Sequence, residues 1–316
     1  MQMRVLGRTG LSVGIAGLGC GGHSRLGQTQ GATSAQSVGL VRTALDSGVT
    51  LLDTAAAYGT EEIVGEAIRG RRDQVVISTK IGVYRDATEN GPYLSAAAFI
   101  ARTEDNLRRL GTDYIDILHL HGVAPEHYDY CRAALIPALQ RLQAAGKIRF
   151  LGITERFVHD TAHRMLQDAL RDDVWDVMMV GFSLINPSAR RIVFPVTRAK
   201  NIGVLAMFAV RRALSCPGAA AALVRDLIAQ GRLAPDGIAP DDPLSFLAEP
   251  DVAGSVVEAA YRFCIHEPGV DLVLTGTGSV SHLRQNLASI GKPPLPAKVL
   301  KRLAAMFGHI DSISGN

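Results

Sequence analysis

The sequence predicts an α/β fold in which eight strands alternate with eight helices and close into a (β/α)8 barrel of the TIM type. Short β-branched or leucine-rich runs alternate with longer amphipathic segments along nearly the whole chain, as repeated βα units do. The two kinds of segment are equal in number. In addition, residues that ionise or hydrogen-bond strongly stand where several apolar runs end, and this edge of a barrel is where active sites are built.

The predicted strands are short and strongly apolar. They lie near residues 14–19, 50–53, 75–79, 114–120, 148–153, 175–180, 202–206 and 271–275. Parallel strands that are buried on both faces form near-continuous apolar runs, and residues 75–77 and 202–207 fit this description. The strand pattern therefore favours a parallel sheet.

Amphipathic segments between the strands predict the helices. They lie at residues 35–47, 60–69, 95–110, 131–145, 158–169, 187–200, 252–266 and 279–289. Gly48, Gly70 and Gly146 follow three of these segments, which suits the turns that lead from a helix into the next strand. A doubly wound sheet is built from the same units and remains an alternative. It is disfavoured because no GxGxxG motif opens a helix after the first strand.

Three segments lie outside the eightfold pattern. Residues 4–13 predict an N-terminal β-hairpin, and residues 295–307 predict a final helix. The stretch 211–250, which follows strand seven, is much longer than an ordinary connection and contains an alanine-rich helical piece at 218–230. Because long loops on the active edge are commonly functional, we interpret this stretch as a lid. All these elements belong to one predicted domain, residues 1–316.

The composition predicts a soluble cytoplasmic protein. The chain has 316 residues, of which 47% are hydrophobic, and a formal net charge of +3 with both signs interspersed. It lacks the basic tail or aromatic-basic motif of a nucleic-acid-binding protein, and no apolar run approaches the roughly 20 residues of a membrane helix. The cysteines Cys20, Cys131, Cys216 and Cys264 are far apart and are expected to be reduced thiols. The composition does not indicate the oligomeric state.

Four polar residues mark the predicted catalytic edge. Asp53 and Lys80 end the second and third barrel strands, His121 ends the fourth, and Tyr58 follows Asp53 in the next loop. Tyrosine is a weak acid with a pKa of about 10, and a nearby ammonium lowers that pKa and eases proton donation. We expect Lys80 to act on Tyr58 in this way while Asp53 keeps Lys80 charged. His121 is expected to position a carbonyl oxygen, so the set predicts proton transfer with Tyr58 as general acid.

His119 alternates with His121 along one strand, so that both side chains point to the same face. A His-x-His pair at a barrel strand end is also found in metal-dependent amidohydrolases. That alternative requires further His, Lys or Asp ligands, and none of the later strands ends in one. We therefore predict no metal site and interpret His119 as a buried, hydrogen-bonded residue below the catalytic edge.

The segment 274–279 leads from the last predicted strand into a helix and contains Gly276, Thr277 and Gly278. Glycines let the backbone approach a phosphate, and a helix N-terminus offers free N–H groups. Barrels commonly bind phosphate near strands seven and eight. The segment is therefore a candidate phosphate site, and a plain turn is the alternative interpretation.

Taken together, these motifs resemble those of the aldo-keto reductases over nearly the full length of the chain. The matching segments, in order, are 6–11, 17–19, 52–54, 58–59, 79–80, 113–116, 120–121 and 146–154. The resemblance implies a barrel that uses NADP(H), with NAD(H) as the alternative, to reduce an aldehyde or ketone or to oxidise the corresponding alcohol. It also implies the family's catalytic positions for Asp53, Tyr58, Lys80 and His121.

The same resemblance implies a set of cofactor contacts. The nicotinamide end is expected near Gly19, Cys20, Asp53, Thr154, Glu155, Met179, Met207 and Phe208, and the adenosine end near Gly276, Thr277, Gly278, His282, Gln285 and Asn286. Some of these residues depart from the family pattern. Glu155 stands where many members have asparagine, and Met179 stands where they have glutamine. His282 stands where several members carry arginine or glutamine near the adenosine 2′-phosphate.

Two functions are compatible with the resemblance. The first is a reductase that acts on a small polar carbonyl compound, with sugars among the candidates. The loops expected to line its pocket, at 25–33, 84–93, 123–130 and 211–250, mix tyrosines with arginine and histidine. The second function is a cofactor-binding subunit of a larger assembly without significant turnover. The intact set of four catalytic positions favours the enzyme.

Overall fold

The fold is a closed barrel of eight parallel strands with an antiparallel hairpin before it. The computed structural model describes residues 1–85, 91–235, 237–239 and 241–316. Each barrel strand pairs in parallel with the next one along the chain, and the last strand closes the circle by pairing with the first. The (β/α)8 barrel expected from the sequence is thereby confirmed, and the doubly wound alternative is excluded.

The strand bounds follow the apolar runs. The hairpin comprises β1 (Met3–Val5) and β2 (Ser12–Gly14), and the barrel comprises β3 (Ala16–Gly19), β4 (Leu51–Asp53), β5 (Val76–Gly82), β6 (Ile115–Val123), β7 (Ile148–Glu155), β8 (Val177–Gly181), β9 (Gly203–Met207) and β10 (Leu272–Thr275). Strands β5, β6 and β7 continue past their predicted ends. The reason is that residues at the barrel mouth still form ladder pairs, such as Gly82 with His121.

Helices connect the strands and flank the barrel. They are α1 (Ser34–Asp46), α2 (Glu61–Ala67), α3 (Ala96–Leu110), α4 (Tyr128–Tyr130), α5 (Ile136–Ala144), α6 (Arg164–Ala169), α7 (Ala189–Ile192), α8 (Phe194–Ala199), α9 (Arg212–Ser215), α10 (Ala219–Ala229), α11 (Val256–Ile265), α12 (Val280–Ile290) and α13 (Ala297–Phe307). The pieces predicted near 218–230 and 295–307 are α10 and α13.

The α-helices predicted at 131–145 and 252–266 begin a few residues late, at Ile136 and Val256, and two others differ more. The helix predicted at 158–169 begins only at Arg164, because the Asp160 carboxylate accepts hydrogen bonds from the N–H groups of Arg164 and Met165 and caps the helix there. The helix predicted at 187–200 is split into α7 and α8. A proline in the first turn of α8 lacks the N–H group that a continuous helix requires.

Side chains fill the barrel in layers, as is usual for this fold. The lowest layer is apolar and includes the buried residues Leu51, Val76, Ile117, Val177 and Leu272. Strand side chains alternate between two faces, so the residues two and four positions later on each strand point to the same interior. On β4, β5 and β6 these later residues include the predicted catalytic side chains of Asp53, Lys80 and His121. On β8, β9 and β10 they are mostly methionine and leucine.

The predicted hairpin closes the lower end of the barrel. Leu6, Leu11 and Val13 pack with the apolar interior layer, and Leu6 is fully buried. A Cβ atom at Gly203 would lie 2.7 Å from the Leu6 Cγ, so the glycine that begins β9 leaves the space that Leu6 fills. The predicted catalytic residues therefore face solvent only through the opposite, C-terminal end of the barrel.

The segment 211–250 is folded onto the barrel rather than extended into solvent. It contains α9 and α10, and its residues Leu227 and Leu247 are buried in the main apolar core. Two positions of the segment, 236 and 240, lie outside the described residues. Its function as a lid stays a prediction.

The helices and cysteines of the described residues can be compared with the sequence-based expectations. Among the residues that the structure describes, no helix combines the length and apolar character needed to cross a membrane. Cys20, Cys131 and Cys264 are buried free thiols, and Cys216 is an exposed one.

We expect Leu6→Ala to lower the free energy of unfolding by about 2–5 kcal/mol, because it removes a fully buried side chain and leaves a cavity at the base of the barrel. Urea titration followed by circular dichroism would measure the loss. Leu300→Ala, at an exposed leucine of α13, is the matched control and should change the same quantity by less than about 0.5 kcal/mol. An equal loss at both positions would contradict closure of the barrel by the hairpin.

Candidate active site

The four residues predicted to be catalytic lie together at the C-terminal end of the barrel. Asp53 ends β4, Lys80 lies in β5 and His121 lies in β6, and all three are on the inner face of their strands. Tyr58 lies in a short 3₁₀ turn that follows β4. Four separate stretches of sequence therefore contribute to one cluster.

A buried ion pair between Lys80 and Asp53 forms the base of this cluster. The Lys80 Nζ donates to the two carboxylate oxygens of Asp53 at 2.6 and 2.7 Å and to the Thr54 carbonyl oxygen at 2.8 Å. The Ser78 hydroxyl donates to Asp53 Oδ1 at 2.7 Å. Lys80 is 1% exposed and Asp53 is 4% exposed. The ammonium group thus has an acceptor for each of its hydrogens.

The two side chains have the geometry of an ion pair. Burial works to lower the pKa of Lys80, but the Asp53 carboxylate and the nearby Tyr58 outweigh it and raise the pKa of the ammonium. Burial raises the pKa of Asp53, and hydrogen bonds from Lys80 and Ser78 oppose that effect by stabilising the carboxylate. The bidentate contact to Nζ is the geometry that an ionised carboxylate adopts.

Tyr58 lies between this ammonium and an imidazole. The Tyr58 hydroxyl is 3.2 Å from His121 Nε2, and the two rings meet edge to face with centroids 5.5 Å apart. The Lys80 Nζ is 5.0 Å from the centre of the Tyr58 ring. Tyr58 and His121 are partly exposed, whereas the ion pair beneath them is buried. A molecule in the barrel mouth would therefore meet Tyr58 and His121 first.

The pKa of Tyr58 does not follow the sequence-based expectation. Burial raises the pKa of the phenol, and the ammonium of Lys80 lowers it by a smaller amount. The expected contribution of Lys80 thus has the right sign, but the expected net lowering of the pKa is wrong, because sequence analysis did not include the cost of burying a phenolate. Tyr58 is consequently protonated at neutral pH.

His121 is uncharged in this environment. Burial, followed by the positive charge of Lys80, lowers the pKa of His121 to about 3. Its Nε2 atom donates to Tyr58 or accepts from it, depending on which ring nitrogen carries the hydrogen. When Nε2 carries it, His121 donates to the Tyr58 oxygen and leaves the phenol hydrogen free for another acceptor.

His119 lies below His121 and is fully buried, as predicted. Neither ring nitrogen has a partner with good hydrogen-bond geometry among the described residues, and the one weaker contact is with the backbone of Ile153. Burial and the charge of Lys80 hold the pKa of His119 well below its usual range. A Cβ atom at Gly152, its neighbour on β7, would lie 2.3 Å from His119 Nδ1, so this glycine provides the space for the ring. Within the described ranges, no three His, Cys, Asp or Glu side chains are arranged to hold a metal ion.

The predicted phosphate site combines a glycine loop with the start of α12. Ser279 is the N-cap of this helix, and its hydroxyl accepts a hydrogen bond from the N–H group of His282, whose side chain is exposed. A Cβ atom at Gly278 would lie 2.5 Å from the Gly27 Cα, so the absence of a side chain lets two loops touch. The remaining N–H groups of the first helical turn are suited to an anion.

The other residues expected at the adenosine end lie along the same loop and helix. Gly276 is exposed, and Thr277 is buried with its hydroxyl accepting a hydrogen bond from the N–H group two residues later. Gln285 is exposed on α12. Asn286 donates to the Thr275 hydroxyl at 2.8 Å and ties α12 to the end of β10.

The mouth of the barrel is apolar on the side opposite Tyr58 and His121. Met179 is buried inside the barrel, and Met207 is partly buried beside it. Gly19 ends β3, and the Cys20 N–H group donates to the Asp53 carbonyl oxygen at 2.7 Å. Of the eight residues expected near a nicotinamide, Met179 and Met207 thus lie on β8 and β9, whereas Gly19 and the fully buried Cys20 lie at the end of β3 beside Asp53.

Phe208 follows β9 in the left-handed backbone region, with φ of 67°, which is unusual for a bulky residue. Its ring meets Phe157 edge to face at 5.2 Å, and the Arg211 guanidinium lies 4.1 Å from the centre of its ring. Arg211 also donates from Nε to the side chain of Asn316 at 2.8 Å. Strained backbone of this kind is concentrated at functional sites.

Thr154 and Glu155 are both engaged within the protein. The Thr154 hydroxyl accepts from the Gly122 N–H group at 2.7 Å and keeps its own hydrogen to donate. The Glu155 carboxylate lies 2.9 and 3.0 Å from His163 Nδ1 and accepts from the Gly181 N–H group at 2.7 Å. Burial raises the pKa of Glu155, and His163 opposes that effect. Contact between Glu155 and a cofactor stays a prediction.

The residues that support this cluster were not predicted from the sequence. Ser78 lies two residues before Lys80 on β5, and this spacing on a strand was the signal that it shares the same face. The hydroxyls of Thr54 and Thr60 hydrogen-bond at 2.9 Å and join the two ends of the loop that carries Tyr58. This second contact has no comparable signal in the sequence, because it depends on the path of the loop.

Comparisons with known proteins agree on one family. The model of the Aldo/keto reductase family matches residues 17–307. L-galactose dehydrogenase of Arabidopsis thaliana is 27% identical over 305 residues, which is 92% of this chain and 88% of that protein. The aldo-keto reductase YhdN of Bacillus subtilis is 28% identical over 306 residues, covering 87% and 85% of the two chains. A crystal structure of an aldo/keto reductase from Klebsiella pneumoniae in complex with NADP and acetate gives a TM-score of 0.69 at 25% identity and covers 97% and 96%.

We expect Asp53→Asn to lower the free energy of unfolding by about 3–5 kcal/mol, because the substitution leaves the Lys80 ammonium buried without its counter-charge. Chemical denaturation would measure this loss. Asp173→Asn is the control, since it removes the carboxylate of an exposed ion pair with Arg8 and should have a much smaller effect. The interpretation fails if the two variants are equally stable.

Stability should also depend on pH through His121. The unfolded imidazole takes up a proton near pH 6.5, whereas the folded one does so only at about 3. The contribution of neutral His121 to the free energy of unfolding is therefore complete above about pH 6.5 and is lost as the pH falls toward 3. Across this window, the free energy of unfolding of His121→Asn should fall less steeply with decreasing pH than that of the wild type. The control His23→Asn, at an exposed histidine, should keep the wild-type slope.

Proposed function

The chain belongs to the aldo/keto reductase family, and we propose that it transfers a hydride between NADP(H) and a carbonyl compound, with Tyr58 as the general acid and base. In the reducing direction an aldehyde or ketone becomes an alcohol. One observation chiefly supports this proposal. The Tyr58 hydroxyl is held 3.2 Å from a neutral His121, directly above the buried pair of Lys80 and Asp53.

The residues around the mouth fit a dinucleotide cofactor. The glycine loop and the start of α12 suit its phosphates, and the exposed His282 and Arg284 on that helix suit a further phosphate on the ribose. The apolar side chain of Met207 and the partly exposed ring of Phe208 suit a planar ring. The bound NADP of the Klebsiella structure supports NADP(H) as the first choice, with NAD(H) as the alternative to test. When bound, the reduced cofactor supplies the hydride.

Tyr58 supplies the proton in the proposed reaction. Negative charge develops on the carbonyl oxygen, and the O–H bond of Tyr58 breaks as the O–H bond of the alcohol forms. A hydrogen on His121 Nε2 positions the oxygen atoms between which this proton moves. Lys80 stabilises the phenolate that remains, because its ammonium lies 5.0 Å from the ring centre and is fixed there by Asp53.

The protonation state of Tyr58 bears on the direction of the reaction. Because burial raises the pKa of the phenol, the hydroxyl is present at neutral pH and is ready to donate. Alcohol oxidation needs the phenolate as a base, and the population of phenolate increases with pH. The site is therefore better prepared for carbonyl reduction near neutral pH than for the reverse reaction.

Small polar carbonyl compounds, including aldoses, are the proposed substrates. Beyond β5 and β6, the ring of Tyr93 is stacked 5.8 Å from Tyr84 and 4.2 Å from Tyr130, and it is 39% exposed. Residues 86–90, between Tyr84 and Tyr93, lie outside the described residues. Phenol rings present both a flat face and a hydroxyl, which suit the C–H faces and hydroxyls of a sugar. The name of one relative, L-galactose dehydrogenase, supports the inclusion of aldoses in a substrate panel.

We expect Tyr58→Phe to lower kcat for the reduction of 4-nitrobenzaldehyde by about 100-fold or more, because the general acid is removed while its ring remains. NADPH absorbance would report turnover, and NADPH fluorescence titration should give an unchanged dissociation constant. Tyr114→Phe is the matched control, since this tyrosine immediately precedes β6 at the opposite end of the barrel. Near-wild-type turnover by Tyr58→Phe would refute the assigned acid. Tight NADPH binding by the wild type, with no turnover of any aldehyde or aldose, would favour a cofactor-binding subunit instead.

A further inference from the structure

The loop after β3 makes an unusually close contact with Tyr58. Gly21 is buried, and a Cβ atom built on it would lie 2.5 Å from Tyr58 Cε2, 2.6 Å from Cδ2 and 2.9 Å from Cγ. Non-bonded carbon atoms are at their optimal separation at about 3.5–4.0 Å. Any side chain at position 21 therefore requires either the tyrosine ring or the loop to move.

The loop has little freedom to move away. The neighbouring Cys20 donates its N–H group to the Asp53 carbonyl oxygen at 2.7 Å, which extends the pairing of β3 with β4 beyond the strands. Farther along, Gly27 lies against the loop that precedes α12. The backbone just before residue 21 is consequently fixed by strand pairing, and we expect the tyrosine ring to be the part that shifts.

A shift of the ring would change the contacts on which proton donation depends. The ring of His121 meets that of Tyr58 edge to face, and the hydroxyl lies 3.2 Å from Nε2. The Lys80 Nζ is 5.0 Å from the ring centre. Displacement by even about 1 Å is enough to reduce turnover by two orders of magnitude in well-ordered sites.

The requirement at position 21 is for space and not for a special backbone conformation. The left-handed φ values of the chain include that of Gly22, at 69°, but not that of Gly21. Conversely, a Cβ atom at Gly22 would have no atom within 4 Å. Gly21 is therefore required for space and Gly22 for its backbone conformation, so substitutions at these two positions can be compared directly.

We propose that Gly21 is a positioning residue for the proton donor, and that its missing side chain determines where the Tyr58 hydroxyl lies. The consequence for activity depends on the proposed function, whereas the contact itself does not. Gly21 touches neither the hydroxyl nor the ion pair in this proposal. It acts through the position of the ring.

Activity measurements would test the effect on the proton donor. Gly21→Ala should lower kcat for 4-nitrobenzaldehyde by about tenfold to 100-fold and leave the NADPH dissociation constant nearly unchanged. In the Tyr58→Phe background the same substitution should change the residual rate by less than about twofold, because the group that it misplaces is already absent. Gly22→Ala is the control and should lower the melting temperature through backbone strain while kcat stays within about twofold of the wild type. Equal losses of kcat in the wild-type and Tyr58→Phe backgrounds would overturn the proposal.

Stability measurements would test the contact without any assumption about turnover. Gly21→Ala should lower the melting temperature of the wild type, but it should leave that of Tyr58→Ala unchanged, because no ring remains to be displaced. If Gly21→Ala does not fold alone, the double variant with Tyr58→Ala should still fold. An equal loss in both backgrounds, or a double variant that fails to fold, would reject the proposal. Absence of all turnover in the wild type would instead count against the proposed function, and the melting temperatures would still decide on Gly21.

Discussion

The pairing of Lys80 with Asp53 is the interaction on which the candidate site depends. Moving two charges out of water costs several kcal/mol per ion, and only close geometry and additional hydrogen bonds offset this cost. Here the ammonium bonds both carboxylate oxygens and the Thr54 carbonyl, and Ser78 adds a donor to the carboxylate. The pair links β4 to β5 at the mouth of the barrel. The same positive charge lowers the pKa of His121 and favours the phenolate of Tyr58, so one buried cation influences both partly exposed members of the cluster.

The alternation of strand side chains accounts for the division of the mouth into two halves. On β4 to β6 the inward positions above the apolar floor are acidic, basic or hydroxyl-bearing, and on β8 to β10 they are mostly methionine and leucine. A barrel wall of this kind offers proton donors on one side and a flat apolar surface on the other. Hydride transfer needs both, because a planar ring must lie against the reacting carbon while a proton donor faces the oxygen. The division follows from the choice of residue at every second position of six strands.

The sequence was sufficient for the parts of the structure that depend on local pattern. All eight barrel strands were predicted from apolar runs. Asp53, Lys80 and His121 were predicted to meet because residues at the ends of parallel barrel strands lie on one rim. The pairing of Glu155 with His163 could not be predicted from the sequence. It depends on the left-handed backbone of His163, with φ of 59°, just before a capped helix. The net pKa of Tyr58 was out of reach for a related reason. Burial is a property of the assembled loops, and it outweighs the effect of the neighbouring ammonium that the sequence did reveal.

Three glycines lie against rings, and only the three-dimensional structure shows these contacts. A Cβ atom at Gly152 would overlap His119, and one at Gly181 would lie 2.2 Å from the Phe157 Cγ. The contact of Gly21 with Tyr58 is of the same type. In each case a ring occupies space that a side chain on another segment would otherwise fill. A search for candidate catalytic residues by type alone therefore selects Tyr58 and passes over Gly21, which lies against its ring but has no polar group. Since the spatial requirement is as strict as the chemical one, a related chain with the same four polar residues but a larger residue at position 21 would have to place its phenol differently.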